Sequence, residues 1–219
     1  MLSLDIKTER WPFKEPFRIS GYVFTDSEVV VVSLTQDGVT GQGEGAGVYY
    51  RKETPATMVA QIESARTAVE AGISREALRE LLPNGGARNA LDCALWDLEA
   101  KRSGIPAWKA AGLQPPGATK TTFTIGADTP EKMAAIARGY APAPRLKLKL
   151  TGEGDAPRLK AVRAARPDAW IGVDANQGFT RASLKSLMPV LQETAISLIE
   201  QPVKGGTEGE RDGLNSPIP

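Results

Sequence analysis

The chain opens on an alternation of period two: Leu2, Leu4 and Ile6 are apolar, and Ser3, Asp5 and Lys7 between them are polar. Successive side chains of a strand point to opposite faces, so the pattern predicts a half-buried strand over residues 2–11. Two further strand-like runs, 29–34 and 39–45, are joined through Gln36-Asp37-Gly38. Asp-Gly between such runs signals a tight hairpin, because both residues tolerate positive φ. These runs predict a small antiparallel sheet. At Thr54 the period becomes helical: Thr54-Pro55 reads as an N-cap and first-turn proline, and Met58, Ile62, Ala65 and Val69 follow on one face. A short helix is expected over about 75–82. The longest helical pattern covers 87–103, where Ala90, Leu91, Ala94, Leu95 and Leu98 form one stripe, with Gly104 placed to end it and Pro106 beyond.

After residue 118 strands and helices alternate. Strands are expected over 119–125, 145–150, 170–174 and 196–200. Helices are expected from Thr129-Pro130-Glu131 onward, with Met133, Ile136, Ala137 and Tyr140 sharing a face, and over 155–166 and 180–191. Lys149 to Asp174 spans 25 positions and Asp174 to Glu200 spans 26, the size of one βα unit in a parallel sheet or barrel. Eight such units need about 200 residues or more, and about 100 follow residue 118. The expected fold class is therefore an α+β domain followed by α/β, the N-terminal part (about four strands) of a TIM-type (β/α) barrel. The expected domains are 1–86, antiparallel sheet plus helices, and 87–219, a linking helix and the first half of the barrel.

Composition narrows the function. Of 219 residues 41% are apolar and 24% charged, which is the make-up of a folded globular chain. Lys and Arg number 27 against 26 Asp and Glu, so there is no basic field to hold nucleic acid or an anionic membrane. Apolar runs such as 29–32 fall far short of the roughly 20 residues of a membrane span. The N-terminus lacks the apolar run of a secretion signal, and the single cysteine, Cys93, can form neither an internal disulfide nor a Cys-rich zinc site. The expected setting is the cytoplasm, with no nucleic-acid or membrane partner. With no histidine, any general base must be Lys, Asp, Glu, Tyr or Cys.

Strand alternation puts Lys147 and Lys149 on one face and Leu146, Leu148 and Leu150 on the other. If helices cover the leucines, the lysines point into the barrel, where burial and mutual repulsion favour a neutral amine able to act as a base. The competing reading makes them solvated lysines of an edge strand. Asp174 and Asn176 end the next strand and Glu200 the one after, so three successive strands deliver lysine and two carboxylates to one end. Strands lie roughly 4.8 Å apart, close enough for such groups to converge. Hard carboxylate oxygens without Cys or His favour Mg²⁺. Taken singly, Asp174 reads equally well as a turn cap and Glu200 as a loop charge.

Lys147-Leu148-Lys149, Asp174-Ala175-Asn176 and Glu200-Gln201-Pro202 resemble the Lys-x-Lys, Asp-x-Asn and Glu-Gln-Pro signatures of the enolase superfamily's muconate lactonizing branch. Residues 90–98, Ala-Leu-Asp-Cys-Ala-Leu-Trp-Asp-Leu, resemble the helix joining that family's cap domain to its barrel, and Gly41-Gln42-Gly43-Glu44 extends the likeness into the cap. Arg88-Asn89-Ala90-Leu91-Asp92 and Phe123-Thr124-Ile125-Gly126 are most similar to the dipeptide epimerases of the L-Ala-D/L-Glu type. The resemblance implies an isomerase with a dipeptide as small-molecule substrate. Mg²⁺ on Asp174 and Glu200 would hold the substrate carboxylate. Lys149 would remove the adjacent α-proton with Lys147 tuning it, Asn176 would support the ligands from behind, and Thr124 would wall the pocket. A cap loop over 18–26, with Arg18 and Tyr22, would close over the substrate. The family's third metal carboxylate and opposing lysine would come from strands after Pro219. Cycloisomerisation or o-succinylbenzoate synthesis are alternatives within the branch. A further one is a truncated, non-catalytic chain or subunit needing a complementing partner, with homo-oligomerisation or self-association through the open half-barrel.

Other signals point to structure. Gly41-x-Gly43-x-Gly45 ends a hairpin with no helix directly after it, so tight turns explain it better than a phosphate loop. Trp11, Trp96, Trp108 and Trp170 are expected as packing residues, Cys93 as an inert buried thiol, and residues 205–212 as a loop.

Overall fold

A computed structural model describes residues 1–204 and 216–219; the loop expected at 205–212 lies outside the described residues. The chain forms two compact units, Met1–Phe13 with Asp26–Gly117, and Lys14–Thr25 with Ala118–Pro219.

The strands β1 (Ser3–Ile19), β2 (Tyr22–Gln36) and β3 (Val39–Ala46) form a sheet in that order, residues 14–19 of β1 and 22–25 of β2 being counted with the second unit. β2 and β3 are antiparallel, with Val30 opposite Gly45 and Gln36 opposite Val39. Their turn has Asp37 at φ 52° and Gly38 at φ 80°, the positive values that Asp-Gly was expected to adopt. Helices α1 (Pro55–Glu70), α2 (Arg75–Leu81) and α3 (Gly86–Ser103) follow, then a short α4 (Ala107–Ala110) that no sequence pattern announced. Thr54 caps α1 in a reciprocal pair with Thr57, and Met58, Ile62, Ala65 and Val69 all face the core. Gly104, at φ 69°, ends α3.

Three expectations for this region need correction. Gly41, Gly43 and Gly45 occupy no turn: they lie on one face of β3, where a β-carbon would strike the main chain of α3. Helix and strand pack backbone to backbone there, an approach that only glycine permits. Cys93 is exposed, because the buried stripe of α3 runs through Ala90, Leu91, Ala94 and Leu98 and leaves position 93 on its flank. Trp11, expected in packing, is 59% exposed on a stretch of β1, residues 10–16, in which every residue is exposed.

The second unit carries a four-stranded sheet, β4 (Phe123–Ile125), β5 (Arg145–Lys149), β6 (Trp170–Asp174) and β7 (Leu198–Glu200), hydrogen-bonded in that order and parallel throughout. Helices α5 (Pro130–Gly139), α6 (Asp155–Ala165) and α7 (Arg181–Glu193) connect the strands. Leu146, Leu148, Leu150, Ile171 and Val173 are fully buried in one core with Met133, Leu159, Val162, Leu184 and Leu191 of the helices. Burying a leucine of this kind contributes roughly 1.5–3 kcal/mol, which locks the face that β5 turns to the helices. The alternate positions, Lys147 and Lys149, must then face the other way. β5 pairs on both sides, so the edge-strand reading of the two lysines is excluded.

The expected cap loop is also largely strand. β1 runs to Ile19 and β2 starts at Tyr22, so a tight turn at Ser20-Gly21, with Gly21 at φ 76°, replaces an open loop. Among the described residues no helix is long and apolar enough to cross a membrane.

Candidate active site

The parallel register decides which side chains meet. Lys149 lies directly opposite Asp174, and Asp174 opposite Glu200. One turn of the pleat earlier, Thr124 lies opposite Lys147, and Lys147 opposite Gly172. Two rows of lateral neighbours thus face away from the helices at the C-terminal ends of the strands, the end at which α/β barrels carry their chemistry.

Asp174 is the hub. Its Oδ2 accepts from Lys149 Nζ at 2.7 Å and from Lys147 Nζ at 3.0 Å, and its Oδ1 accepts from the Asn176 main-chain N–H at 2.9 Å. Its side chain is 2% exposed. Lys147 Nζ also reaches Glu200 Oε2 at 2.6 Å, so one ammonium lies between the two carboxylates. Lys149 Nζ donates further to Asn176 Oδ1 at 3.0 Å. The turn that presents Asn176 is held in the left-handed region, Asn176 at φ 45° and Gln177 at φ 65°, uncommon for residues other than glycine. Main-chain hydrogen bonds from Ala175 to Glu200 and from Gln177 to Gln201 hold it there. Non-glycine residues kept in such conformations cluster at functional sites, where surrounding structure over-determines them.

Electrostatics follow from these contacts. Burial acts against the charge of Lys147, but its hydrogen bonds to Glu200 and Asp174 outweigh this and hold its pKa above the ordinary lysine value. Burial likewise opposes ionisation of Asp174, and the hydrogen bonds from Lys149, Lys147 and the Asn176 N–H overcome it, keeping that carboxyl below the usual range. The expected shift toward a neutral base concerned one lysine of the pair, with Lys149 in that role; Lys147 is the member that the carboxylates pair as an ammonium.

Thr124 is half-buried on β4, beside Lys147. Arg18 and Tyr22 flank the hairpin turn. Arg18 is paired with Asp128 at 3.1 Å, and Tyr22 is 48% exposed and stacks on Phe24 with centroids 6.1 Å apart. Together with residues from β4–α5 and β5–α6 they line a cavity of about 520 Å³. Two neighbours escaped sequence reasoning. The Phe17 ring stands 5.8 Å from Lys149 Nζ, and Asp128 receives the Arg18 guanidinium. Phe17 is out of phase with the alternation that predicted β1, whose apolar side chains fall at even positions, so that pattern did not signal it.

Two hard carboxylates already bridged by a cation are a donor set that fits Mg²⁺, which commonly takes one or two protein carboxylates and completes its shell with water and substrate oxygens. Among the described residues no cluster of three or more His, Cys, Asp or Glu side chains could hold a metal.

A half-barrel with Lys-x-Lys, Asp-x-Asn and a strand-end Glu converging at its C-terminal edge defines a family. Residues 1–112 match the family model of the mandelate racemase / muconate lactonizing enzyme N-terminal domain, and residues 130–215 match the enolase C-terminal domain-like model. The chain belongs to the enolase superfamily, in its muconate lactonizing branch, and is most like the dipeptide epimerases there. It is 35% identical over 221 residues to L-Ala-D/L-Glu epimerase of Escherichia coli (strain K12), a match that takes in 100% of this chain and 69% of that protein. A crystal structure of an enolase family member from Agrobacterium tumefaciens with homology to dipeptide epimerases, holding sodium and L-Ala-L-Glu, shares a TM-score of 0.95 and 37% identity, covering 100% of this chain and 67% of that one. Dipeptide epimerase from Methylococcus capsulatus, complexed with Mg and L-Arg-D-Lys, gives a TM-score of 0.82 at 30% identity, covering 93% and 62%. The chain thus spans roughly two thirds of the length of these relatives.

Proposed function

We propose that the protein carrying this chain is a Mg²⁺-dependent epimerase of dipeptides, working by exchange of the proton α to the substrate carboxylate. The observation that carries this reading is the single buried Asp174 oxygen shared by Lys147 and Lys149, with Glu200 closing the far side of Lys147. Relatives named as dipeptide epimerases support it.

Asp174 and Glu200 would hold the Mg²⁺, which supplies divalent positive charge where the substrate carboxylate gains electron density as its α-proton leaves. Lys149 takes that proton from one face of the substrate; inversion then needs a proton delivered to the opposite face, the role that the family resemblance gives to an opposing lysine on a later strand. The Lys149 amine is aimed by two acceptors, Asp174 Oδ2 and Asn176 Oδ1, so its direction is set before substrate arrives. Lys147, one pleat before Lys149 on the same face of β5, tunes that base and touches the substrate carboxylate. Asn176 positions Lys149 through its side chain and Asp174 through its main chain. Thr124 walls the pocket beside Lys147, and Arg18 and Tyr22 border the substrate from the hairpin tip. The near-neutral chain with one cysteine suits a cytoplasmic enzyme.

The test is exchange of the α-proton of L-Ala-L-Glu with D₂O, followed by NMR with and without Mg²⁺. The reading expects Mg²⁺-dependent exchange in the wild type and its loss in Lys149→Met. Exchange that survives the substitution, or that proceeds equally without Mg²⁺, overturns it.

A further inference from the structure

Residues 17–22 cross the C-terminal ends of three strands, and two contacts fix where they cross. On the β4 side the Ala127 N–H donates to the Arg18 carbonyl at 3.1 Å. A β-carbon at Gly126 would come within 3.2 Å of the Arg18 nitrogen, so glycine at that position permits the approach. On the β6 side a β-carbon at Gly178 would come within 2.9 Å of Ser20 Oγ. Between these contacts Phe17 stands over Lys149 of β5.

The charges at the first contact alternate in sign. Glu15 faces Lys132 at 3.6 Å, Lys132 faces Asp128 at 3.0 Å, and Asp128 faces Arg18 at 3.1 Å. Asp128 Oδ2 therefore receives two cations, one from the hairpin and one from α5. Its other oxygen accepts the Thr129 N–H at 2.9 Å, and its carbonyl accepts from Arg158 Nε at 2.8 Å, which tie Asp128 to the β4–α5 connection and to α6. An anion tied to the β4–α5 connection and to α6 is a fixed post against which the end of the hairpin can be held. Without its charge, Arg18 and Lys132 would face each other as like charges, so its loss costs more than one exposed ion pair.

We propose that Asp128 is a positioning residue: by holding Arg18 it fixes the hairpin tip across the strand ends and keeps Phe17 beside Lys149. The consequence for the reaction rests on the reading of Lys149 as the proton-transferring group, whereas the clasp itself does not.

The experiment is hydrogen–deuterium exchange of the full chain, read by mass spectrometry on peptides covering residues 17–22, for wild type, Asp128→Asn, Arg18→Gln and the double variant. Asparagine keeps the shape and the acceptor for the Thr129 N–H while removing the charge. Arg18→Gln, which removes one ion pair, should speed exchange in the tip by about threefold to fivefold, the upper range for a single ion pair, and Asp128→Asn by at least as much. Asp128→Asn should add little once Arg18 is already Gln, and raised ionic strength should loosen the wild-type tip alone. Unchanged tip exchange in both single variants overturns the proposal, as does an Asp128→Asn effect of full size in the Arg18→Gln background. Because none of these readings needs turnover, a tip that loosens in a chain without α-proton exchange still upholds the clasp and refutes only the functional reading.

Discussion

Replacing Gly43 by alanine is expected to unfold much of the first unit's stability. A β-carbon at Gly43 would overlap the Ala90 carbonyl oxygen, lie 2.6 Å from the Ala94 nitrogen and 2.9 Å from the Cys93 β-carbon. Ordinary van der Waals contact begins near 3.4 Å, so α3 must withdraw by the difference, about 0.8 Å at Ala94. The obstructing atoms are mostly main chain, which no rotamer change moves aside. Ala90, Leu91, Ala94 and Leu98 are buried on the same face of α3, and a gap of about 0.5–1 Å forfeits a quarter to a half of a dispersion contact. Overpacking costs about 1–3 kcal/mol in ordinary cores, and a rigid obstacle places this substitution near the upper value, about 3 kcal/mol. With a urea m-value of about 2 kcal/mol/M, the unfolding midpoint falls by about 1.5 M. Far-UV circular dichroism with tryptophan fluorescence would follow it, since Trp96 stacks under the Arg75 guanidinium within this unit. The control is Gly139→Ala at the end of α5, where a β-carbon meets nothing within 4 Å; it should be neutral or stabilise by about 0.4–1 kcal/mol. A Gly43→Ala midpoint indistinguishable from wild type would refute the backbone-to-backbone account of β3 and α3.

Other expectations follow from the same geometry. Asn176→Gly, which keeps the left-handed turn and deletes the amide that receives Lys149, should slow Mg²⁺-dependent α-proton exchange by about tenfold; an unchanged rate by NMR would remove Asn176 from the site. Asp97 has its pKa lowered chiefly by the Lys101 hydrogen bond, and it also accepts from the Gln42 N–H. Its contribution is therefore present above the unfolded carboxylate pKa and lost as pH falls through the lower folded value. The stability gap between wild type and Asp97→Asn, from urea melts at several pH values, should be widest near neutrality and close in acid. Among the described residues β4 and β7 are the outermost strands of the parallel sheet, with Phe123 and Leu198 exposed on them, so light scattering should show mass rising with concentration. A constant monomer mass would speak against association through these strands.

Much of the site was legible because it obeys simple periods. Lys147 and Lys149 share a face by the period of two, and the near-equal spacing to Asp174 and Glu200 matches one βα unit per strand, so parallel pairing brings them into register. Asn176 was named on the same period, although it is the left-handed turn past the end of β6 that presents it. Phe17 and Asp128 were not, because their meeting with Lys149 and Arg18 depends on where a hairpin tip lands, 110 positions from Asp128 in the case of Arg18. Neither segment records that distance in its own pattern. Two lysines alone argue that one of them is pushed toward a neutral amine, and the approach of Asp174 and Glu200 shows that Lys147 is the one paired as an ammonium.

By itself the sequence determined the type of every strand and α-helix except α4 and the extended hairpin over 12–28, the helix caps at Thr54 and Thr129, the Asp-Gly turn, and which face of β5 is apolar. All of these rest on interactions within a few residues of the chain or on the burial of a repeating stripe. Tertiary structure alone decided that Gly41, Gly43 and Gly45 serve helix packing, that Cys93 faces solvent, that residues 14–25 join the second unit, and that a single oxygen of Asp174 binds both lysines. Each of those outcomes depends on the distance between atoms of separate elements, and that distance exists only once the elements have packed.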